Sequence, residues 1–182
     1  IDPGTLSYKT GDGFLAAARG RSIQQAVFLD STGRSYSLMA HSLPSARGQG
    51  EPLSGRLDPP DGAKFAGVAI GEPGDKWLLA SDAGFGFIAK LEVLYARVRA
   101  GKAVLNLTEG AKVLCPVPVS SAEGNTDMYI AAVFGEGRLL VFPAAELPEM
   151  ARGKGNRIFG TPTGKGAEPE RLVAVARLAE GQ

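Results

Sequence analysis

The chain has 182 residues, 44% of them hydrophobic, and a formal net charge of +1: enough for a real core, but no overall charge that argues for a partner. Its 25 glycines and 12 prolines favour many turns and short strands over long helices. The lone Cys115 excludes an internal disulfide framework and fits a reducing compartment, the lone His41 leaves a metal site of the usual kinds short of ligands, and no apolar run approaches the ~20 residues that span a bilayer.

The start, Ile1-Asp2-Pro3, has neither methionine nor signal peptide and is what a fragment would show. Residues 5–9 alternate weakly and read as the last strand of a preceding repeat. Gly11-Asp12-Gly13 turns the chain, residues 14–18 read as a short apolar strand, and Arg19-Gly20-Arg21 follows as a basic corner. A hairpin over 27–38 turns at Gly33, and after one helical turn at most around Ser42-Leu43-Pro44 comes the corner Ala46-Arg47-Gly48-Gln49-Gly50. Residues 52–57 read as a strand. The pattern then repeats: an entry strand over 66–70, a hairpin over 77–88 turning at Gly84, a helically spaced segment over 91–98, the corner Val98-Arg99-Ala100-Gly101-Lys102, and a strand over 103–107. It repeats again with an entry strand over 114–119, a hairpin over 130–142 turning at Gly137, a helix-like turn within 144–150, the corner Ala151-Arg152-Gly153-Lys154-Gly155, and a strand over 157–160. Polar, Gly/Pro-rich residues 161–171 read as a mobile loop, and 172–178 as the first strand of a further repeat.

The turn glycines lie about 50 residues apart, a blade-like period with four strands to each repeat. The expectation is an all-β chain forming a single domain over 1–182, with repeats at about 14–57, 64–107 and 113–160 and partial strands at 5–9 and 171–178.

Several motifs suggest enzymes. Gly84-Phe85-Gly86-Phe87-Ile88-Ala89 fits a dinucleotide-binding pattern, but the sister copies, Gly33-Arg34-Ser35-Tyr36 and Gly137-Arg138-Leu139-Leu140, read as hairpin exits without a phosphate cradle. Residues 160–166 resemble a phosphate-binding loop one residue short, with Gly166 where a Mg²⁺-binding hydroxyl should be. Asp30, Asp82 and Glu136 stand at the hairpin turns, where turn propensity alone explains them. Cys115 reads as a buried, inert thiol, and Trp77, Phe87 and Phe142 as core.

The basic corners are different. Arg47, Arg99 and Arg152 recur at the same place in each repeat, with Lys102 and Lys154 beside them and Arg19, Arg21, Arg34, Arg56, Arg97, Arg138 and Arg157 nearby. Stacked repeats bring equivalent positions onto one rim, where arginines flanked by glycines suit a run of phosphates. No base-reading helix is evident, so the contacts expected are to backbone. The DNA-binding candidates are Arg19, Arg21, Arg34, Arg47, Arg56, Arg97, Arg99, Lys102, Arg152, Lys154 and Arg157.

The strings Val27-Phe28-Leu29-Asp30-Ser31-Thr32-Gly33-Arg34-Ser35-Tyr36, Leu43-Pro44-Ser45-Ala46-Arg47-Gly48-Gln49-Gly50, Arg97-Val98-Arg99-Ala100-Gly101-Lys102-Ala103 and Arg152-Gly153-Lys154-Gly155-Asn156 resemble the C-terminal domain of the A subunit of bacterial DNA topoisomerase IV, a relative of the gyrase A subunit. The resemblance spans about residues 5 to 160. It implies a β-pinwheel, a propeller-like arc of four-stranded blades that exchange strands with their neighbours, with about three full blades and partial blades at both ends. It also implies duplex-DNA binding and bending on the outer rim, largely independent of sequence, so that a DNA segment is presented to a catalytic core during decatenation and relaxation. The catalytic tyrosine, Mg²⁺ and ATP belong by this resemblance to other parts of the parent enzyme, leaving this domain non-catalytic and without a cofactor. The implied partners are the ATPase B subunit, the rest of the A subunit, and DNA; the isolated domain is implied to be a monomer. The implied location is cytoplasmic and chromosome-associated, with peripheral association at the inner face of the cell membrane. The corners are degenerate copies of the glycine- and arginine-rich box of gyrase, which implies bending without full wrapping. A propeller-type protein-interaction scaffold is the alternative.

Overall fold

The computed structural model describes residues 7–8, 10–45, 48, 50–120, 128–159 and 170–179. Three antiparallel hairpins carry the architecture: β1 (Gln25–Asp30) with β2 (Arg34–Met39), β4 (Lys76–Ala80) with β5 (Phe85–Lys90), and β8 (Met128–Phe134) with β9 (Leu139–Pro143). Each turns through a glycine with positive φ: Gly33 at 81°, Gly84 at 80° and Gly137 at 83°. A side chain in that left-handed region meets its own backbone, so glycine sets where each hairpin turns. The glycine N–H donates back across the turn in every copy, to Asp30 O, Ser81 O and Phe134 O.

Flanking strands complete the sheets, and they come from further along the chain. The first hairpin is bordered by β3 (Phe65–Ile70) and the two-residue β6 (Lys102–Ala103), giving the order β3-β1-β2-β6. The second is bordered by β7 (Val117–Ser120) and the two-residue β10 (Asn156–Arg157), in the order β10-β5-β4-β7. The third pairs with β11 (Leu172–Ala179), in the order β11-β8-β9, and β9 has no further partner among the described residues. Each of the first two sheets is thus one repeat's hairpin closed on both edges by strands of the next.

This exchange corrects the expectation for residues 14–18, which form no strand. An entry strand here pairs with the hairpin before it, and no hairpin precedes 14–18 among the described residues, so Phe14 and Leu15 stand exposed. The strand expected over 52–57 is instead a single 3-10 turn, Leu53–Gly55. Those expected over 103–107 and 157–160 shrink to β6 and β10, which begin one residue earlier. Ser7 and Tyr8 are not in a strand, and the remainder of 5–9, residue 160 and residues 161–169 lie outside the described residues. The short turns after the hairpins are as expected, one turn each: Ala40–Ser42, α1 (Leu91–Leu94) and Ala144–Glu146.

Strand alternation gives every hairpin two faces, and successive sheets stack through them. Val27 and Leu29 of the first hairpin pack with Trp77, Leu79, Phe87 and Ala89 of the second. The second hairpin's other face, Leu78, Ala80 and Ile88, packs with Ile130, Ala132, Phe134 and Phe142 of the third. Trp77, Phe87 and Phe142 are core, as the sequence suggests. The third hairpin's outer face aligns Tyr129, Val133, Leu139 and Val141, all exposed, Leu139 at 64%.

Candidate nucleic-acid interface

The basic corners are seated on the preceding hairpin. In the corner ending at Gly101, the N–H groups of Val104 and Leu105 donate to Gly33 O, both at 2.9 Å, and β6 pairs Arg34 with Ala103 and Ser35 with Lys102. In the corner ending at Gly155, Ile158 N–H donates to Gly84 O at 2.8 Å, and β10 pairs Phe85 with Arg157 and Gly86 with Asn156. Gly101 and Gly155 are therefore equivalent, with φ of 64° and 78°. A Cβ on Gly101 would stand 2.5 Å from Ser35 O and 2.6 Å from the Tyr36 ring, and one on Gly155 would overlap the backbone of Gly86. These glycines let one strand lie directly on the next. Counted from them, Arg99 stands two residues upstream and Arg152 three, so the two arginines are offset by one position rather than strictly equivalent.

The residue after each turn glycine meets the incoming corner. Arg34 sends Nε to Ala100 O and Nη2 to Gly101 O, both at 3.0 Å. Phe85, its counterpart, places its ring 4.3 Å from Lys154 Nζ and 5.1 Å from Arg157 Cζ, so here the cations are on the corner and the ring on the hairpin. Arg138, the third counterpart, pairs with Glu170 and lies 5.7 Å from the Phe134 ring.

The other candidate cations divide by their attachments. Arg97 and Arg152 are exposed on the corners. Arg99 is also exposed, 3.3 Å from Asp58 Oδ1 and donating to Gly55 O at 3.4 Å. Lys102 is half-buried, and burial followed by the nearby Arg97 charge pulls its ammonium pKa down. Arg56 is held between Glu51, at 2.8 Å, and Ser42 O, at 2.6 Å. Arg21 is exposed 3.6 Å from Glu72, and Arg19 lies exposed in the irregular segment before β1. Arg47 is outside the described residues.

The acids at the turns are more than turn formers. Asp30 is fully buried, one oxygen accepting from Thr32 N–H at 2.8 Å, Thr32 Oγ1–H at 2.7 Å and Arg34 N–H at 3.0 Å. The other accepts from the Tyr36 hydroxyl at 2.6 Å. Burial, then this bond and the carboxylate's charge, drive the Tyr36 hydroxyl far above the usual tyrosine range. Asp82 is likewise buried, accepting from Lys112 N–H at 2.7 Å and Arg171 Nη1–H at 2.8 Å. Glu136 is exposed.

Sequence reasoning passes over Phe85 and the Asp30–Tyr36 pair. Superposing the repeats on their turn glycines puts Phe85 where Arg34 and Arg138 stand, which is the signal that was available. The dinucleotide-like stretch is the second turn and β5, in extended backbone with no helix opening at its glycines. The phosphate-loop-like residues lie outside the described region at 160–166. Cys115 is exposed, not buried, yet its sulfur lies against Gly67 and burial raises its thiol pKa, so the thiol is not activated. No group of three or more metal-ligating side chains occurs among the described residues.

Two four-stranded sheets, each closed by strands of the next repeat and set with basic corners, define a β-pinwheel. No family model matches the chain. It is 56% identical over 182 residues to the A subunit of DNA topoisomerase 4 from Pseudomonas aeruginosa, covering all of this chain and 24% of that protein. To the corresponding protein of Escherichia coli K12 it is 47% identical over 174 residues, 96% of this chain and 23% of that one. The structure of the E. coli ParC C-terminal domain superposes with a TM-score of 0.80 at 45% identity, covering 98% of this chain and 71% of that one. The DNA gyrase A C-terminal domain, at 11% identity and a TM-score of 0.51 over 97% of this chain and 74% of its own, shares the fold. The chain belongs to the family of C-terminal domains of the topoisomerase IV A subunit, and it spans about a quarter of the length of the curated relatives it matches.

Proposed function

We propose that this domain binds and bends duplex DNA through its basic corners, presenting a DNA segment to the catalytic core of a type IIA topoisomerase during decatenation and relaxation of supercoils. The observation that carries the reading is the repeated seating of a cationic corner on the preceding hairpin: Arg97 and Arg99 on the first, Arg152, Lys154 and Arg157 on the second. Pinned backbone lowers the ordering cost of binding to that of the side chains themselves. Contacts of this kind go to phosphates and confer little direct base readout. The domain's part is non-catalytic and needs no cofactor of its own. The cleavage chemistry and ATPase lie elsewhere in an assembly of A and B subunits. Tyr36, buried and bonded to Asp30, is a structural hydroxyl rather than a nucleophile.

The test is duplex affinity against salt. Five phosphate contacts, one for each of these cations, give a slope of log affinity on log salt of roughly −4 to −5. A flat slope, or no binding at low salt, would overturn the proposal. The exposed apolar face of Tyr129, Val133, Leu139 and Val141 supports a second reading, contact with another protein. Leu139→Ser would then release a stoichiometric protein partner while leaving duplex affinity unchanged.

A further inference from the structure

The geometry points to Arg34 as a positioning residue that sets the basic corner of the next repeat, rather than as a group that itself neutralises phosphate. This rests on the DNA-binding reading above and changes the role of one of its candidates. Two of the guanidinium's donors are spent on adjacent carbonyls, Ala100 O and Gly101 O, 66 and 67 residues away. A planar fork spanning two carbonyls fixes a corner in a way that a point charge does not. The side chain starts from a rigid base. Arg34 N–H is held by the buried Asp30, whose other oxygen is bonded to Tyr36, and the Tyr36 ring packs under Gly101.

This fork adds to other ties on the corner: Asp58 N–H donates to Arg99 O and Ala96 N–H to Ser37 Oγ, both at 2.9 Å. The β6 ladder amounts to two residue pairs, and upstream of it the backbone turns through Gly101 with φ of 64°. Residues 97–100 all project into solvent. Val98 O accepts from Gly101 N–H at 3.0 Å, which closes the turn locally without tying it to the sheet. Arg34 ties the end of this turn, Ala100 and Gly101, to the first hairpin. In the next repeat Gly153 N–H donates to Val104 O at 2.9 Å and Gly153 O accepts from Asn106 N–H at 2.8 Å, and the Phe85 ring adds its contacts with Lys154 and Arg157. One position therefore meets the corner in both sheets by different chemistry.

Three variants, Arg34→Lys, Arg34→Gln and Arg97→Gln, separate the roles, with duplex affinity measured across salt and amide hydrogen exchange followed over residues 98–104. Both Arg34 variants are expected to bind roughly three- to tenfold more weakly, the cost of ordering a loosened corner, with the salt slope unchanged and faster exchange at the Gly101 and Val104 amides. Arg97→Gln is expected to lower the slope by about 0.9, the signature of a lost phosphate contact. If Arg34→Lys binds like the unaltered chain while Arg34→Gln lowers the slope by about 0.9, Arg34 contacts phosphate and the inference fails. It also fails if neither Arg34 variant changes exchange in the corner. A chain that does not bind duplex at all would defeat the DNA reading alone, and exchange would then decide the fastening: faster in both Arg34 variants upholds it, unchanged exchange overturns it.

Discussion

Gly33→Ala and Gly137→Ala form a matched pair that measures what strand exchange contributes. The two glycines occupy the same turn position with φ of 81° and 83°, so the left-handed strain of an alanine is the same in both. That strain is about 1–2 kcal/mol, offset by about 0.4–1 kcal/mol from the stiffer unfolded chain. At Gly137 none of the described residues lies within 4 Å of the new methyl, so the net loss is about 1 kcal/mol. At Gly33 the methyl would overlap Leu105 O, an atom of the next repeat's backbone. Relieving that overlap moves the segment after β6, whose Val104 and Leu105 N–H groups both donate to Gly33 O at 2.9 Å. Two hydrogen bonds at about 1 kcal/mol each raise the loss to about 3 kcal/mol. Urea unfolding read as a midpoint shift at constant slope measures both. If the two variants agree to within about 0.5 kcal/mol, well inside the ~2 kcal/mol the two bonds predict, the incoming strand does not bear on the turn and the argument for repeat-to-repeat coupling is refuted.

Two further outcomes follow from the buried groups. Tyr36 keeps its proton in the folded state far above the usual tyrosine range, so folding is favoured fully below the unfolded pKa of about 10 and stability falls as pH rises through and above it. Tyr36→Phe should flatten that alkaline decline in a pH series of unfolding midpoints and, by leaving one Asp30 oxygen without its donor, cost about 1–3 kcal/mol near neutrality. Tyr95, whose pKa is also raised, chiefly by burial, leaves a residual decline. Cys115, exposed but with its thiol pKa raised by burial, should react with a disulfide reagent at neutral pH more slowly than a small free thiol. A faster rate would show that the sulfur does not rest against Gly67.

The sequence makes local features legible and leaves relations between repeats hidden. Gly33, Gly84 and Gly137 mark the hairpin turns because a single residue's φ decides them, and the alternating runs beside them place Trp77, Phe87 and Phe142 in the core. Which hairpin a flanking strand joins is decided by packing between repeats, so residues 14–18 look like any other entry strand while no hairpin precedes them among the described residues. The short strands mislead for a related reason. Two residues of ladder, as in β6 and β10, carry no period to read. At the site, the cationic corners are legible as charge beside glycine, but the use of each cation is not. Arg34 and Arg56 look like Arg97 in the string, and only the carbonyls they meet across the fold separate them. Asp30 reads as a turn residue because its burial depends on Tyr36, which reaches its carboxylate only once β2 has folded back on β1.

Crowding around the left-handed glycines shows how far each repeat depends on its neighbour. Gly50, Gly101 and Gly155 end the three corners with φ of 75°, 64° and 78°, a conformation that each corner's own sequence dictates. Yet among the described residues nothing crowds a side chain at Gly50, while Gly101 and Gly155 are closed, because the first and second hairpins lie against their backbone. The turn glycines mirror this: Gly33 and Gly84 are hemmed in by Leu105 and Phe159 of following segments, and Gly137 is open. Among the described residues, the left-handed shape of these glycines is therefore local, while the crowding at Gly101 and Gly155 comes from the hairpins they lie on. For the proposed binding to a phosphate backbone, the seams between repeats then matter alongside the charges, because a charge on an unfastened loop must be ordered anew at each binding event.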